Sequence, residues 1–212
     1  MSEILIPAFN KTIAMVFFST LFSLILGFIP AIILVVTAPN GLNPNKIIYR
    51  VLDTIINILR GFPFLILMVA IIPFTKLIVG KSIGTPAAIV PLTIAAAPFV
   101  ARIIESSLKE VDPGVVEAAK SFGASNTQII FKVMLKEAVP SIISGLTLTI
   151  ISIIGYSAMA GTVGGGGLGD VAIRYGYQRY QTDVMIVTVI ILIIIVQALQ
   201  SLGNYIYKKL SK

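Results

Sequence analysis

Long uncharged runs alternate with short polar connections along this chain, and the runs have the length of membrane crossings. Thr12 to Thr37 carries no charged residue over 26 positions, where a helix needs roughly 20 apolar residues to cross the hydrocarbon. Five such spans are predicted, over residues 12–37, 51–75, 86–105, 138–161 and 184–207. The first contains Gly27 and Pro30, which membrane helices tolerate. It reads as a retained span and not as a cleaved leader, because its apolar core is too long and Met1-Ser2-Glu3 lacks a basic start. The second is mixed: 61–75 is apolar, but the helix is predicted to begin near Val51 and to carry Arg60. The last two are cleaner, with no charge between Glu137 and Asp170 and a run dense in isoleucine after Val184.

The polar stretch 112–137, DPGVVEAAKSFGASNTQIIFKVMLKE, breaks this rhythm and has its own order. Asp112 suits an N-cap and Pro113 the first helical position, so a short helix should start there. Gly123 stands where a helix end needs positive φ, and Ser125 with Gln128 forms an S-x-x-Q capping box that opens a second helix. Pro140 falls near the first turn of the following span. The expected form is helix, glycine turn, helix, lying against one membrane surface.

Composition agrees with a bundle that has little outside the bilayer. Hydrophobic residues make up 57% and charged residues 12%, against roughly 25% charged in soluble domains, and the mean hydropathy is +0.99. With no cysteine and no histidine, disulfides, thiol nucleophiles and histidine acid–base or metal chemistry are excluded. The net charge of +7 is scattered through connections, which points to anchoring at a membrane surface and not to nucleic acid. With the N-terminus outside, ten Lys and Arg fall on inner segments (Lys46 and Arg50, five from Arg102 to Lys136, and Lys208, Lys209 and Lys212) and five on outer ones. The positive-inside rule therefore favours N-out, C-in. Gly80-Lys81-Ser82 imitates the end of a phosphate-binding loop, but the glycine such a loop needs five residues earlier is Thr75. No nucleotide site is read there.

Glu117-Ala118-Ala119, three residues and then Gly123 resemble the EAA loop of ABC-importer permeases, and Val133, Leu135 and Pro140 fit its looser tail. Lys136 departs from the pattern, which usually has proline after leucine. The resemblance implies that this loop is a coupling helix, with Glu117, Ala118, Ala119 and Gly123 meeting an ATP-hydrolysing subunit. The two alanines would keep one face thin, and Glu117 would offer a charge to a basic partner. Placing the loop beside cytoplasmic ATP requires the same orientation as the charge count.

Arg60-Gly61-Phe62-Pro63-Phe64, Ile72-Pro73-Phe74 and Gly155 to Tyr180 further resemble the permeases of methionine ABC importers. That family implies an all-α, five-helix type I importer permease, residues 1–212 forming one transmembrane domain. It is a multi-pass protein of the plasma or inner membrane that moves L- and D-methionine by alternating access. It also implies a second copy of the chain, two ABC ATPase subunits that bind the ATP, and an external, often lipid-anchored, substrate-binding protein. No cofactor belongs to the chain itself, its only other neighbours are membrane lipids, and nucleic acid is not a partner. Met159 matches the family methionine near the gate, where a flexible thioether can seal a narrow point and yield to a ligand; packing filler is the competing reading. Gly164 to Gly167 is either a flexible hinge or thin backbone at an outer mouth. Arg174, Tyr175, Tyr177, Arg179 and Tyr180 beyond it suit an interface. Arg60 is read as structural at the inner boundary, ahead of substrate contact.

Two other classes fit the residues less well. An ion-coupled secondary transporter would show inverted repeats and a mid-membrane carboxylate, yet the span count is odd and Asp53 and Glu105 lie near span ends. An intramembrane enzyme would need a nucleophile and base that no span supplies. A permease for another small amino acid, or for a methionine derivative, stays open because apolar walls do not name a cargo.

Overall fold

The structure, a computed structural model, describes residues Met1 to Ser211; Lys212, one of the cations assigned to the inner side above, lies outside the described residues. Helix α1 (Ser2–Thr37) starts well before the charge-free run. Its added turns place Leu5 and Ala8 against Leu168, Val171 and Val184, so burial carries the helix through the polar Asn10 and Lys11.

The second span departs from the single helix expected over 51–75. It is α2 (Lys46–Arg60), α3 (Phe64–Ala70) and α4 (Ile72–Val79), with α2 and α3 meeting at 101°. The break has a local cause. Phe62 precedes a proline, which pushes its backbone out of the α region, and Pro63 is extended at φ −61° and ψ 126° and has no N–H to donate. The Gly61 N–H closes α2 on the Asn57 and Ile58 carbonyls. At the other end Asn45 caps α2 by accepting from the Ile47 and Ile48 N–H groups, each at 3.1 Å.

Helix α5 (Thr85–Lys109) is the most enclosed span, and α6 (Pro113–Ser121) follows it. Helix α7 (Asn126–Gly161) joins the second half of the polar stretch to the fourth span without interruption; a π-helical segment, Ile129–Met134, lies near its start. Lys136 and Pro140 both sit inside that continuous helix. A glycine turn leads to α8 (Gly167–Val171) and a π turn (Ala172–Tyr177), and α9 (Thr182–Leu210) completes the described bundle.

Lipid tails give helices no hydrophobic reason to associate, so close packing through small residues has to supply it. Ala88, Ala95, Ala96 and Ala101 are buried along α5. At the crossing with α1, a Cβ added to Gly27 would sit 2.6 Å from the Ala97 carbonyl oxygen, so only glycine fits. Gly203 of α9 meets the Thr147 side chain of α7 in the same manner. The pathway of the chain gathers the two sets of cations at opposite ends. Lys11, Lys76, Lys81, Arg174 and Arg179 lie toward the glycine-turn end, and the described members of the larger set lie toward the end that carries α6.

A charged lattice fastens α2 to α5 at the α6 end. Glu105, 1% exposed, accepts from Arg102 Nη1 and from Lys109 Nζ, both at 2.6 Å. Arg102 Nη2 donates to Asp53 at 2.6 Å and to the Asn57 side-chain oxygen at 2.9 Å. Tyr49 accepts from Lys109 at 3.2 Å. A doubly paired carboxylate of this kind is structural and is not a free ion-coupling acid. Glu105→Gln leaves Lys109 without its acid and Arg102 with Asp53 alone; because both cations reach solvent, the loss is below the about 3–5 kcal/mol of breaking a fully buried pair. Thermal unfolding in detergent is expected to show a melting temperature several degrees lower; an unchanged curve contradicts a structural role for the lattice.

Candidate functional site

The polar stretch forms a self-contained helix–turn–helix at one end of the bundle. Asp112 accepts from the Gly114 N–H at 2.7 Å and Pro113 begins α6. The end of α6 is a Schellman closure: Gly123 N–H reaches the Lys120 carbonyl, Ala124 N–H reaches the Ala119 carbonyl, and Gly123 has φ +78°. Ser125 then accepts from Gln128 N–H at 3.3 Å while the Gln128 side chain accepts from Ser125 N–H at 2.9 Å. Val116 and Ala119 turn toward the bundle core. Glu117, Ala118 and Gly123 face out. The open face is therefore made by one of the two alanines, not both. Glu117 and Lys120 also border a cleft of about 510 Å³ that separates α6 from the turn at Ala38–Leu42.

Sequence reasoning missed Phe122. This side chain is 92% exposed at the tip of the turn, beside Gly123. A phenylalanine there costs solvation unless something covers it, and aromatic anchors of this kind are typical of interface hot spots. The signal was slight: in so short a helix a lone aromatic reads as core.

A second feature runs along α7. Ser144, Leu148, Ser152, Gly155 and Met159 are exposed at spacings of three and four residues, and Thr162 extends the line just past the helix. The uncovered face of α1 presents Phe17, Leu21, Ile25 and Ile29, the large apolar groups suited to lipid. Hydroxyls and a glycine on the α7 stripe suit water or a close protein neighbour instead. Met159 is 44% exposed on this stripe. Beside it, between α5 and α7, lies a cavity of about 150 Å³ walled by Ala96, Phe99, Thr149, Ser152, Ile153 and Tyr156. Ile103 and Leu148 border both that cavity and a larger opening of about 600 Å³ toward the α6 end. The larger space is edged by Ser106, Ser144, Glu110 and Glu137, and within it Ser107 donates to Ser141 at 3.0 Å and Ser141 donates to Glu110 at 2.9 Å.

The four glycines form a packed turn. Gly84 N–H donates to the Gly164 carbonyl at 2.9 Å, Thr85 Oγ1 donates to Gly165, and Leu168 N–H donates to Thr12 Oγ1 at 2.8 Å. A side chain on Gly169 would fall on the Ala158 backbone, one residue from Met159. The hinge reading is thus replaced by thin backbone that pins α8 against α7. Beyond it Arg174 pairs with Asp170 at 3.0 Å, Arg179 lies over the Tyr175 ring, and Tyr177 and Tyr180 are exposed. Thr75 is buried within α4 and Gly80 caps that helix, so no phosphate-binding loop forms before Lys81-Ser82.

Arg60 ends α2 with its guanidinium carbon 5.1 Å from the centre of the Phe99 ring. Its Nε is buried without a hydrogen bond, and among the described residues it has no ion pair. Phe99 stands one helical turn from Arg102, about 15 Å along α5 from Lys109. Arg60 is half-buried at the end of α2, and the cation–π contact with Phe99, worth about 0.5–2 kcal/mol, is the side-chain partner it has among the described residues.

Four to five helices long and apolar enough to cross a membrane, with a capped helix–turn–helix at one end of the bundle, describe a membrane-embedded subunit. The chain belongs to the family described as the binding-protein-dependent transport system inner membrane component, whose sequence model matches residues 25–212. Among its relatives is the probable D-methionine transport system permease protein MetI of Vibrio cholerae, 54% identical over 208 residues, covering 98% of this chain and 92% of that one. The methionine import system permease protein MetP of Bacillus subtilis is 44% identical over 180 residues, covering 85% of this chain and 81% of that one. The solved structure of the MetNI methionine ABC transporter in inward-facing conformations has a chain that superposes with a TM-score of 0.98 at 43% identity, over 100% of this chain and 98% of that one. An amino acid ABC transporter at 22% identity and a TM-score of 0.81 shares the fold. The chain is accordingly a multi-pass permease of the type I ABC importer fold, a transport component and not an enzyme.

Proposed function

We propose that this chain is the permease of an ATP-driven importer of methionine, taking both enantiomers, and that it works as a homodimer on two ABC ATPase subunits. An external binding protein, tethered to the membrane by lipid, delivers the cargo. The observation that carries the reading is identity of about half the residues with a methionine permease along nearly the whole chain, joined to a docking loop whose caps are complete. Residues 1–212 act as one transmembrane unit.

In this mechanism Glu117, Ala118 and Gly123 meet the ATPase, with Ala119 holding α6 to the bundle and Phe122 as an added anchor. Closed two-fold symmetry brings equivalent residues of two copies together, so the α7 stripes face each other and Met159 seals the path. When ATP draws the ATPase subunits together, the coupling helices follow and the stripes part toward the glycine-turn end. The acidic opening near α6 is then the inner vestibule. This places the N-terminus outside and the C-terminus in the cytoplasm, in line with the larger set of cations at the α6 end.

Reconstitution with the ATPase and binding protein, followed by uptake of L- and D-methionine, tests the function; transport of a different amino acid in preference to methionine favours the alternative cargo. Gly123→Val puts a β-branched side chain at φ +78°, where left-handed backbone costs about 1–2 kcal/mol and the Schellman closure opens. Uptake is expected to be lost while the chain still inserts, and normal transport by this variant refutes the coupling role.

A reporter placed between Lys76 and Lys81 is expected outside, and one following the C-terminus inside. The reverse result separates the docking loop from cytoplasmic ATP.

Met159→Cys introduces the sole cysteine of the chain. It is expected to cross-link two copies most readily in the nucleotide-free state, and Met159→Ala is expected to loosen coupling between hydrolysis and uptake. Absence of cross-linking in every nucleotide state, with unchanged transport by Met159→Ala, returns Met159 to packing filler.

A further inference from the structure

The cavity between α5 and α7 is the space that the proposed mechanism leaves unused. Protein interiors pack with few voids larger than a water molecule, yet this one measures about 150 Å³, a size that holds benzene in a packed core. Short side chains keep it open. Ala96 on α5 lines it, with Thr149 and Ser152 on α7, and a leucine at any of the three would occupy much of the space. Thr149 and Ser152 donate to the Gly145 and Leu148 carbonyls of their own helix, so their hydroxyls are satisfied and the wall they form is apolar in effect. Phe99 and Tyr156 supply two aromatic walls. Each ring is held from elsewhere: the Arg60 guanidinium lies 5.1 Å from the centre of Phe99, and Phe64 stacks on Tyr156 at 4.9 Å. The walls therefore stand in place before anything enters, as in preformed ligand sites. Leu148 and Ser152 belong both to this lining and to the exposed α7 stripe, so the cavity opens onto the stripe that bears the hydroxyls.

We propose that this cavity is a side-chain pocket of the permease, which takes the unbranched thioether of an amino acid while the ammonium and carboxylate stay at its mouth on the α7 stripe. The walls select the occupant. A methionine side chain has fewer heavy atoms than benzene and fits the volume. Its sulfur is polarizable and meets aromatic rings favourably at about 5 Å, and Phe99 and Tyr156 stand ready for that contact. A side chain that needs hydrogen bonds, such as that of glutamine, meets hydroxyls already engaged with their own helix and enters at a cost. The zwitterionic head needs no partner in the cavity, because Ser152 and the rest of the stripe leave it in water. The pocket rests on the methionine-transport reading above; it adds a selection step within the membrane to that made by the external protein.

The test uses the permease–ATPase complex in lipid nanodiscs without nucleotide. The permease has no cysteine of its own, so Ser152→Cys reports on the cavity mouth through its rate of reaction with a small charged thiol reagent, read on the permease by mass. L-Methionine is expected to slow labelling, by about tenfold at ten times its Kd. L-Alanine and L-glutamine, which carry the same ammonium and carboxylate, are expected to leave the rate almost unchanged at equal concentration. L-Norleucine, with a methylene in place of the sulfur, is expected to protect with a Kd about two- to tenfold higher than that of methionine. Ala96→Leu, added to the labelled variant, fills the cavity from its closed side, where Ala96 is fully buried. It is expected to abolish protection by methionine and to keep the ligand-free labelling rate, and that rate together with co-elution with the ATPase shows that the variant is assembled. If Ala96→Leu does not assemble, the comparison of methionine with alanine and glutamine decides. Labelling that methionine does not slow, where the parent complex takes up methionine, overturns the pocket and leaves the transport reading standing; a parent complex that takes up none overturns the reading on which the pocket rests. Protection that alanine matches, or that Ala96→Leu leaves intact, places the ligand on the stripe alone and overturns the pocket. Equal protection by norleucine overturns recognition of the thioether. Disulfide linkage of two copies through the introduced thiol, with no labelling in any state, shows that a second copy covers the mouth and overturns the pocket as well.

Discussion

The close approach of α5 to its neighbours is the constraint on which the rest of the fold hangs. Inside lipid, burial of apolar surface does not distinguish a helix neighbour from an acyl chain, so contact must be gained by letting backbones approach. The alanines along α5 and Gly27 on α1 allow that approach. Because α5 is fixed along its length, both of its ends become fixed points. One end receives the glycine turn through Gly84 and Thr85. The other holds Glu105 with its two cations and then delivers the chain, through the buried Val111, to the Asp112 cap.

That continuity matters for force transmission. The coupling role proposed for α6 requires that movement at its surface reach the spans without being absorbed at a soft joint. Here the joint between α5 and α6 is short and capped, the turn between α6 and α7 is closed by three main-chain bonds and a reciprocal capping box, and α7 runs unbroken from that box to the Met159 region. Helix α6 is therefore joined by short, capped connections to both α5 and α7, the two helices that wall the cavities. The lattice around Glu105 adds α2 to the same rigid body. The α7 stripe, by contrast, is exposed and has no partner among the described residues of the chain.

Much of this was legible in the sequence where the cause is local. Asp112, Gly123, Ser125 and Gln128 adopt the geometry their spacing predicts, since capping bonds are made within a few residues and need no tertiary help. Hydropathy located the apolar runs, since the membrane imposes their length. The failures share a non-local cause. The first ten residues are helical because Leu5 and Ala8 find partners more than a hundred residues away. The second span breaks at Gly61-Phe62-Pro63, yet Pro30, Pro98 and Pro140 stand in helices that continue. Proline alone does not decide; a preceding glycine that ends one helix, and an α2 held aside by Asp53 and Arg102, do. Ala119 turning inward, Phe122 outward and the α7 stripe were invisible for the same reason: which face of a helix is covered depends on elements that the chain has yet to supply.

The contrast between Glu105 and Arg60 shows two ways in which this bundle accommodates a charge. Both are ionisable groups taken into the bundle. Glu105 has its lone pairs met by Arg102, Lys109 and Tyr49, so its charge is spent on fixing α2 to α5. Arg60 sits nearly two turns further along the same helix pair, with a ring for its company. Asp53 is a short distance back along α2, yet Arg102 and Asn57 already engage both of its oxygens. The lattice that secures the fold thus withholds from Arg60 the one acid that its own helix offers. Arg60 is left with the face of Phe99, a contact worth about 0.5–2 kcal/mol, where Glu105 has two cations and a hydroxyl.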